Sequence, residues 1–169
     1  KESIPDKPWA CTGTKGEREH NIANSLYLDA DLLDQTNRDR YERYDKIKAT
    51  EQLSEEYLCD DADIVVVAFG AAARIARNAV NAAREQGIKA GLFRPITLWP
   101  FPVDALEKTI GHAKGYLSVE MNMGQMVDDV RLVVAGRAPV EFYGRAGGVI
   151  PTPAEVLDAI VALDQKVGE

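Results

Sequence analysis

Glu120 is the clearest candidate for acid–base chemistry in this sequence. It opens the segment Glu120–Met126, which also contains amide side chains, a glycine and all three methionines of the chain. A carboxylate can act as a general acid or base when a suitable partner lies beside it. The two histidines, His20 and His112, lie in a polar leader and near the end of a predicted helix. Without a visible partner, the sequence favours a surface or supporting role for Glu120.

The rest of this segment is suited to contact with a ligand or another chain. Asn122 and Gln125 bring polar groups to the corner between a predicted strand and helix. Met123 and its neighbouring methionines are flexible and polarizable, as residues at adaptable interfaces are. Burial of the methionines in the core explains the same pattern, and both interpretations stay open.

Two arginine-bearing loops are candidates for anion binding. Arg94 follows a predicted strand, and Arg145 precedes Gly147 and Gly148. A guanidinium group and free backbone N–H groups together bind anions, although a mobile turn also explains the second loop. Gly70 alone completes neither a dinucleotide-binding fingerprint nor a phosphate-binding P-loop, so it indicates a tight turn or a helix amino terminus that could receive an anion.

Two large aromatic side chains lie on the loop Arg94–Pro102. Three prolines stiffen this loop, which carries Trp99 and Phe101. Aromatic side chains on a rigid exposed loop commonly anchor protein–protein interfaces. The sequence therefore predicts that both rings are exposed and available to a partner.

Composition excludes several classes of function. The chain has 169 residues, of which 46% are hydrophobic and 28% charged, with a net charge of −7. The acidic balance argues against nucleic-acid binding, and no apolar run approaches membrane-spanning length. Cys11 and Cys59 lie far apart without a CxxC pair, so we expect reduced thiols, a cytoplasmic location and no metal or iron–sulfur site built from this chain.

Apolar runs alternate with amphipathic segments from Asp63 onward. The predicted strands are Ile64–Phe69, Ile88–Phe93, Tyr116–Val119 and Val140–Tyr143, and the predicted helices between and after them are Ala71–Gln86, Val103–Ile110, Gly124–Ala135 and a last one from Thr152. Glu155 lies where a capping box with Thr152 requires it. The alternation predicts a three-layer α/β/α domain with a mostly parallel sheet of about five strands, in which Glu55–Cys59 adds an antiparallel edge strand.

Residues 1–53 form a separate part of the predicted organisation, ahead of the α/β domain at 54–169. They comprise a polar, irregular leader and a charged helix from Asp29 to about Gln52. Because the chain begins with Lys1 rather than methionine, we expect a piece of a longer protein. The leader and helix would then link the α/β domain to an N-terminal domain.

Three motifs in order give the chain a family resemblance. Gly91–Pro102, Ser118–Met126 and Val140–Pro153 resemble the C-terminal part of the α subunit of 2-oxoacid:ferredoxin oxidoreductases. The leader, with Pro8–Gly16 and Asn24–Leu28, is similar to the branch that uses branched-chain substrates such as ketoisovalerate.

This resemblance implies a domain like the C-terminal domain of transketolase, inside an enzyme that uses thiamine diphosphate with Mg²⁺, iron–sulfur clusters and coenzyme A. Such enzymes oxidatively decarboxylate a 2-oxoacid to an acyl-CoA and pass the electrons to ferredoxin. The thiamine-binding and cluster-binding residues of the family lie in other domains or subunits, so none is carried onto this chain. One departure is Ala71–Ala73, where the resemblance leads us to expect a hydroxyl side chain after Gly70.

The resulting hypothesis is an assembly domain that is inactive alone. Its partners would be the thiamine-binding and iron–sulfur subunits, with ferredoxin reached through the complex, and a homodimer is a further option. The C-terminal domain of another thiamine-dependent dehydrogenase or of a transketolase is the nearest alternative. A free-standing interaction module without a catalytic assembly is the alternative from another class.

Overall fold

Strands and helices alternate along the chain after one long first helix. The computed structural model describes residues 3–11, 13–22 and 24–168. In these residues the elements are α1 (Ala30–Thr50), β1 (Ser54–Tyr57), β2 (Ile64–Ala68), α2 (Gly70–Glu85), β3 (Ala90–Pro95), α3 (Val103–Glu107), β4 (Gly115–Glu120), α4 (Met126–Val134), β5 (Val140–Gly144) and α5 (Pro153–Gly168).

The strands form one five-stranded sheet in the order β1-β3-β2-β4-β5. β2, β3, β4 and β5 run parallel to one another, and β1 pairs with β3 in the antiparallel direction. Glu55 of this edge strand is the register partner of Arg94 on β3. The mostly parallel sheet and its antiparallel edge strand confirm the predicted fold class.

Helices cover both faces of the sheet, which explains the continuous apolar runs. Side chains of a strand alternate between faces, and β2 is buried along its whole length. Ile64 and Val66 pack in one cluster with side chains of α2 and α5. Val65 and Val67 pack in a second cluster with side chains of α3 and α4. The three layers therefore follow directly from a strand with no polar face.

Element ends differ from the predicted ones where backbone geometry intervenes. The helix predicted from Gly124 begins at Met126, because Gly124 has a φ of +104°, which is outside the helical region. The strand predicted at Ile88–Phe93 spans Ala90–Pro95 instead. Asp29 caps the start of α1, since its Oδ1 accepts the N–H of Leu32 at 2.9 Å.

The chain divides into two compact units, Lys1–Arg43 and Tyr44–Glu169. In the first unit, the segment before α1 is irregular and partly held by its own polar groups. The side chain of Asn21 donates to the carbonyl oxygen of Trp9 at 2.8 Å, and Arg18 donates to the carbonyl oxygen of Ala10 at 3.2 Å. Among the helices that the structure describes, none combines the length and the apolar character of a membrane-spanning segment.

Candidate functional site at the carboxyl edge of the sheet

The gap between the ends of β2 and β4 is the topological switch point of the sheet. The chain leaves β2 through α2 toward β3 on one side, and leaves β4 through α4 toward β5 on the other. Ligands of open α/β sheets bind in the crevice that such a divergence creates. A cleft of about 290 Å³ lies here, lined by the residues that follow the two strands: Phe69, Gly70, Ala71, Ala72, Met121 and Asn122.

The lining of this cleft offers little polar chemistry. Asn122 is the one polar side chain among the lining residues, and its Oδ1 accepts the N–H of Gly124 at 2.7 Å. The end of β5 also closes on this corner, because a Cβ atom at Gly144 would lie 2.5 Å from the carbonyl oxygen of Asn122. The amide and glycine of this corner therefore shape a tight turn.

Glu120 is fully buried and lies across the amino end of α4. Its Oε2 accepts the main-chain N–H groups of Gln125 at 3.1 Å and Met126 at 2.9 Å. Its Oε1 accepts the N–H of Val127 at 2.9 Å and the hydroxyl of Ser118 at 3.1 Å. The first turn of a helix leaves its N–H groups without helical partners, and this carboxylate supplies the missing acceptors.

These contacts contradict the predicted surface position of Glu120 and fit the supporting role that the sequence offers as the alternative. A carboxylate has about four lone-pair sites, and four donors occupy them here. The side chain therefore has no free acceptor with which to take a proton from a substrate. The pKa of Asp129 on α4 is raised, first by partial burial and then by the charges of Asp128 and Glu120.

The methionines of the segment divide between the core and the surface. Met126 is buried in the cluster of α3 and α4, whereas Met121 and Met123 are exposed, with 81% of Met123 accessible to solvent. Gln125 is exposed as well. Burial in the core therefore holds for Met126, whereas contact of the exposed pair with another chain stays a prediction.

Arg145 is already paired with side chains of β5 and of α5. Its guanidinium donates to Tyr143 at 3.1 Å and pairs with Glu155. Glu155 also accepts the main-chain N–H of Thr152 at 2.8 Å, which is the capping box that the sequence predicts. The Thr152 N–H, then Arg145 and the Thr152 hydroxyl lower the pKa of Glu155 from 4.5 to about 2. This loop therefore fixes the start of α5.

Gly147 and Gly148 lie exposed between Arg145 and α5. Both have positive φ angles, +68° and +87°. The backbone N–H of Arg145 donates to the carbonyl oxygen of Glu120 at 3.2 Å. The structure thus brings the predicted residues of the β4 and β5 corners together at one end of the sheet.

The aromatic loop after β3 differs from its prediction in one of its two rings. Trp99 is 55% exposed, and its ring meets Tyr44 edge-on with a centroid separation of 5.3 Å. Phe101 is only 9% exposed and belongs to the core cluster around Leu106. The predicted exposure of Phe101 is wrong, because α3 and its neighbours cover a ring that sequence alone places on a loop.

Arg94, the remaining predicted residue, lies on the other side of the sheet from Glu120. Its guanidinium donates to Oε2 of Glu55 at 2.7 Å, across the antiparallel β1–β3 pair. Arg77 of α2 approaches the other oxygen of Glu55 at 3.8 Å and lies over the ring of Tyr57 at 4.1 Å. Arg94 therefore belongs to a separate polar cluster.

Sequence reasoning missed several residues of these clusters. Ser118 supports Glu120 from the same strand, two residues earlier, a spacing that places both on one face. Arg74 and Arg77 are three residues apart on α2 and therefore neighbours on the helix surface. Glu55 needs the strand register before its link to Arg94 is visible.

Donor sets for metal ions are not found in the part of the chain that the structure describes. There, no group of three or more His, Cys, Asp or Glu side chains is arranged to hold an ion. The two cysteines are free; Cys11 is exposed and Cys59 buried. Burial raises the pKa of the Cys59 thiol to about 11. Two separate cysteines among the described residues do not fit an iron–sulfur cluster, which four thiolates usually hold.

The family follows from comparison with known proteins. Residues 62–156, more than half of the chain, match the family model described as pyruvate:ferredoxin oxidoreductase core domain II. Together with the sheet order and the switch-point corner, this match defines the class, a domain of a 2-oxoacid:ferredoxin oxidoreductase. The chain belongs to this family.

Within the family, the similarity to ketoisovalerate oxidoreductases is extensive. The ketoisovalerate oxidoreductase subunit VorB of Methanothermobacter thermautotrophicus is 43% identical over 159 residues, which cover 94% of this chain and 45% of that subunit. The chain therefore spans less than half the length of this relative. A match over 94% of the chain extends well beyond the residues of the family model and into the segment ahead of the α/β domain.

Two solved structures share the fold. A 2-oxoglutarate:ferredoxin oxidoreductase from Magnetococcus marinus, solved with 2-oxoglutarate, coenzyme A and succinyl-CoA bound, superposes with a TM-score of 0.70 at 20% identity, over 90% of this chain and 28% of that one. A split-gene transketolase, an inactive β4 tetramer, superposes with a TM-score of 0.56 at 18% identity, over 66% of this chain and 41% of that one. These matches confirm the transketolase-like α/β fold.

Proposed function

We propose that this chain is the assembly domain of a thiamine diphosphate-dependent 2-oxoacid:ferredoxin oxidoreductase. The whole enzyme would convert a 2-oxoacid and coenzyme A to an acyl-CoA and CO₂, with the electrons passing to ferredoxin. In this proposal the domain holds the thiamine-binding and iron–sulfur subunits together, and residues 1–53 link it to the rest of the enzyme. We place the complex in the cytoplasm, in keeping with two free cysteines.

The observation that carries this proposal is that the carboxyl edge of the sheet buries its acidic group and exposes apolar side chains. The acidic group there, Glu120, is buried, and its oxygens accept the N–H groups at the start of α4. The exposed residues of the same edge include apolar ones, Met121 and Met123 at the β4 corner and Ile150 before α5. Because the Glu120 carboxylate is fully hydrogen-bonded within the domain, the groups that this edge exposes are partly apolar. Exposed apolar groups of this kind suit a surface that another chain covers.

Ketoisovalerate is the substrate that we propose for the whole enzyme. The support is the 43% identity to a VorB subunit along 94% of the chain. We assign thiamine diphosphate, Mg²⁺, the iron–sulfur clusters and coenzyme A to other parts of the enzyme. In this proposal the other parts of the enzyme bind the cofactors, and the described residues of this domain provide a folded support and a contact surface.

Assembly of the full-length protein with its partner subunits tests the proposal. Met123→Glu places a charge on a side chain that is 81% exposed, so we expect the fold to persist while subunit affinity falls by tenfold or more. Leu132→Glu is a matched control, because Leu132 is 78% exposed but lies near the carboxyl end of α4, at the opposite end of the sheet. Size-exclusion chromatography with mass photometry measures the assembly.

Equal assembly of both variants and the wild type would reject the docking role. A second readout is reduction of viologen by the complex with a panel of 2-oxoacids, where we expect ketoisovalerate to give the highest kcat/KM. An assembly that lacks iron and reduces no viologen would favour another thiamine-dependent dehydrogenase or a transketolase instead.

A further inference from the structure

A small cleft with three arginines lies between β1, β3 and the first turns of α2. Its volume is about 170 Å³, well below the ~300–1,000 Å³ of pockets that hold drug-sized ligands. The charged lining residues are Arg74 and Arg77 of α2, Arg94 of β3 and Glu55 of β1. Three guanidinium groups around one small space stand out in a chain whose net charge is −7.

One anionic group already shows where negative charge binds in this cleft. The Glu55 carboxylate lies between two of the arginines, with one oxygen 2.7 Å from Arg94 and the other 3.8 Å from Arg77. The ring of Tyr57 lies 4.1 Å from the Arg77 guanidinium, and its hydroxyl donates to Asn81 at 2.9 Å. The strand pairing and the stacked ring therefore hold two guanidinium groups in place before any ligand arrives.

Positive charge in the cleft exceeds what Glu55 neutralises. Within the described part of the chain, Arg74 has no carboxylate within 4.0 Å, so three guanidinium charges face one carboxylate. The amino end of α2, where Gly70 also lines the cleft, has no side-chain cap. A helix amino terminus adds partial positive charge and free N–H donors on the same side.

We propose that this cleft binds a phosphate dianion, either free or as the terminal group of a small phosphorylated metabolite. Guanidinium groups match tetrahedral oxyanions because they donate paired N–H bonds. The excess of two positive charges equals the charge of a phosphate dianion. A cleft of about 170 Å³ admits one such group and leaves the remainder of a ligand in solvent. The arginine cleft shares Gly70 with the switch-point cleft, but none of the exposed apolar residues proposed above for subunit contact lines it.

Calorimetry with the full-length protein and its partner subunits tests this site, with inorganic phosphate and glycerol 3-phosphate as probes. Arg74→Gln removes the unpaired guanidinium, and we expect the dissociation constant to rise by about tenfold or more. Arg131→Gln is the matched control, because Arg131 is an exposed arginine on α4 paired with Asp128, and we expect less than a twofold change. Binding of the probes to other parts of the complex is the same in both variants, so the difference between the variants reports on this cleft.

Tighter binding of glycerol 3-phosphate than of phosphate identifies a phosphorylated metabolite as the ligand, and the reverse identifies the free ion.

Glu55→Gln supplies an independent test with the opposite sign. Because this substitution removes the competing carboxylate, we expect phosphate to bind severalfold more tightly. Equal effects of Arg74→Gln and Arg131→Gln, or weaker binding by Glu55→Gln, would overturn the proposal. A loss of subunit affinity in Arg74→Gln with unchanged phosphate binding would also overturn it, since the arginines would then serve a protein interface.

Discussion

The carboxylate of Glu120 accepts the main-chain N–H of Val127 at 2.9 Å, so the last residue of β4 closes the amino end of α4. The strand-to-helix turn is thus fixed by a buried acid from outside the helix. Such an arrangement couples the end of a central strand to the direction of the next helix. It also sets the position of the exposed corner between them, which is the surface that we assign to partner chains.

Replacing this acid tests whether its role is structural. Glu120→Gln keeps the shape but puts an NH₂ group where an oxygen now accepts buried N–H donors. We expect a loss of about 2 to 3 kcal/mol in the free energy of unfolding, because a buried donor loses its acceptor together with the charge. Urea denaturation measures it, with Glu85→Gln on an exposed site as the control, where we expect less than about 0.5 kcal/mol. Unchanged stability with abolished turnover would instead make Glu120 a catalytic residue.

The start of α5 should weaken in acid. Hydrogen bonds from Thr152 and the pairing with Arg145 lower the pKa of Glu155 from 4.5 to about 2. A carboxyl group with a depressed pKa contributes stability that is present above pH 4.5 and disappears as the pH falls toward 2. We expect Glu155→Gln to remove part of this dependence, so that its melting temperature changes less between pH 5 and pH 2.5 than that of the wild type.

Asp158→Asn, three residues further along α5, is the control for this pH effect. No hydrogen bond from the start of α5 reaches Asp158 among the described contacts, so its replacement should leave the pH dependence of the wild type intact. If Glu155→Gln and Asp158→Asn have the same pH profile, the capping box does not govern the acid sensitivity of this helix.

Local sequence patterns predicted the features that depend on neighbouring residues. The apolar run at β2 indicates a strand buried on both faces, and the structure buries all of Ile64–Ala68. Thr152 and Glu155 lie in the same helical turn, and their hydrogen bonds form as the spacing predicts. In each case the partners are close in the chain, so residue type and spacing contain the required information.

Features that depend on tertiary contacts escaped prediction. The donors that surround Glu120 are mainly backbone N–H groups, which every residue carries, so no side-chain pattern reveals them. Phe101 is buried by residues of other elements. The arginine cleft needs the antiparallel register that places Glu55 opposite Arg94, 39 residues away. A resemblance between motifs is enough to identify the family, but contacts between residues far apart in the chain become visible only in the three-dimensional structure.

The two cysteines should differ sharply in reactivity. Burial raises the pKa of Cys59 to about 11, whereas Cys11 is exposed. Since the thiolate is the nucleophile, only about one Cys59 thiol in a thousand is ionised at pH 8. We expect iodoacetamide to label Cys11 in the native protein and Cys59 only after denaturation, as measured by peptide mass spectrometry. Equal labelling rates in the native state would show that the segment around Cys59 opens readily.

The aromatic loop provides a test that separates folding from assembly. Phe101 is 9% exposed and packed in the core, so Phe101→Ala should lower the free energy of unfolding by about 3 kcal/mol. Trp99 is 55% exposed and meets Tyr44 edge-on, so Trp99→Ala should lower it by about 1 kcal/mol at most. Urea denaturation gives both values, and subunit affinity is measured under conditions where both variants are folded.

If Trp99 anchors a partner, Trp99→Ala should weaken subunit binding by tenfold or more despite its small effect on stability. Phe101→Ala serves as the reciprocal case, because a folded molecule with that substitution still presents the Trp99 ring to a partner. A variant pair in which Phe101→Ala impairs assembly more than Trp99→Ala, with both proteins fully folded, would contradict the assignment of Trp99 to the interface. That result would move the docking surface from this loop to the exposed methionines of the β4 corner.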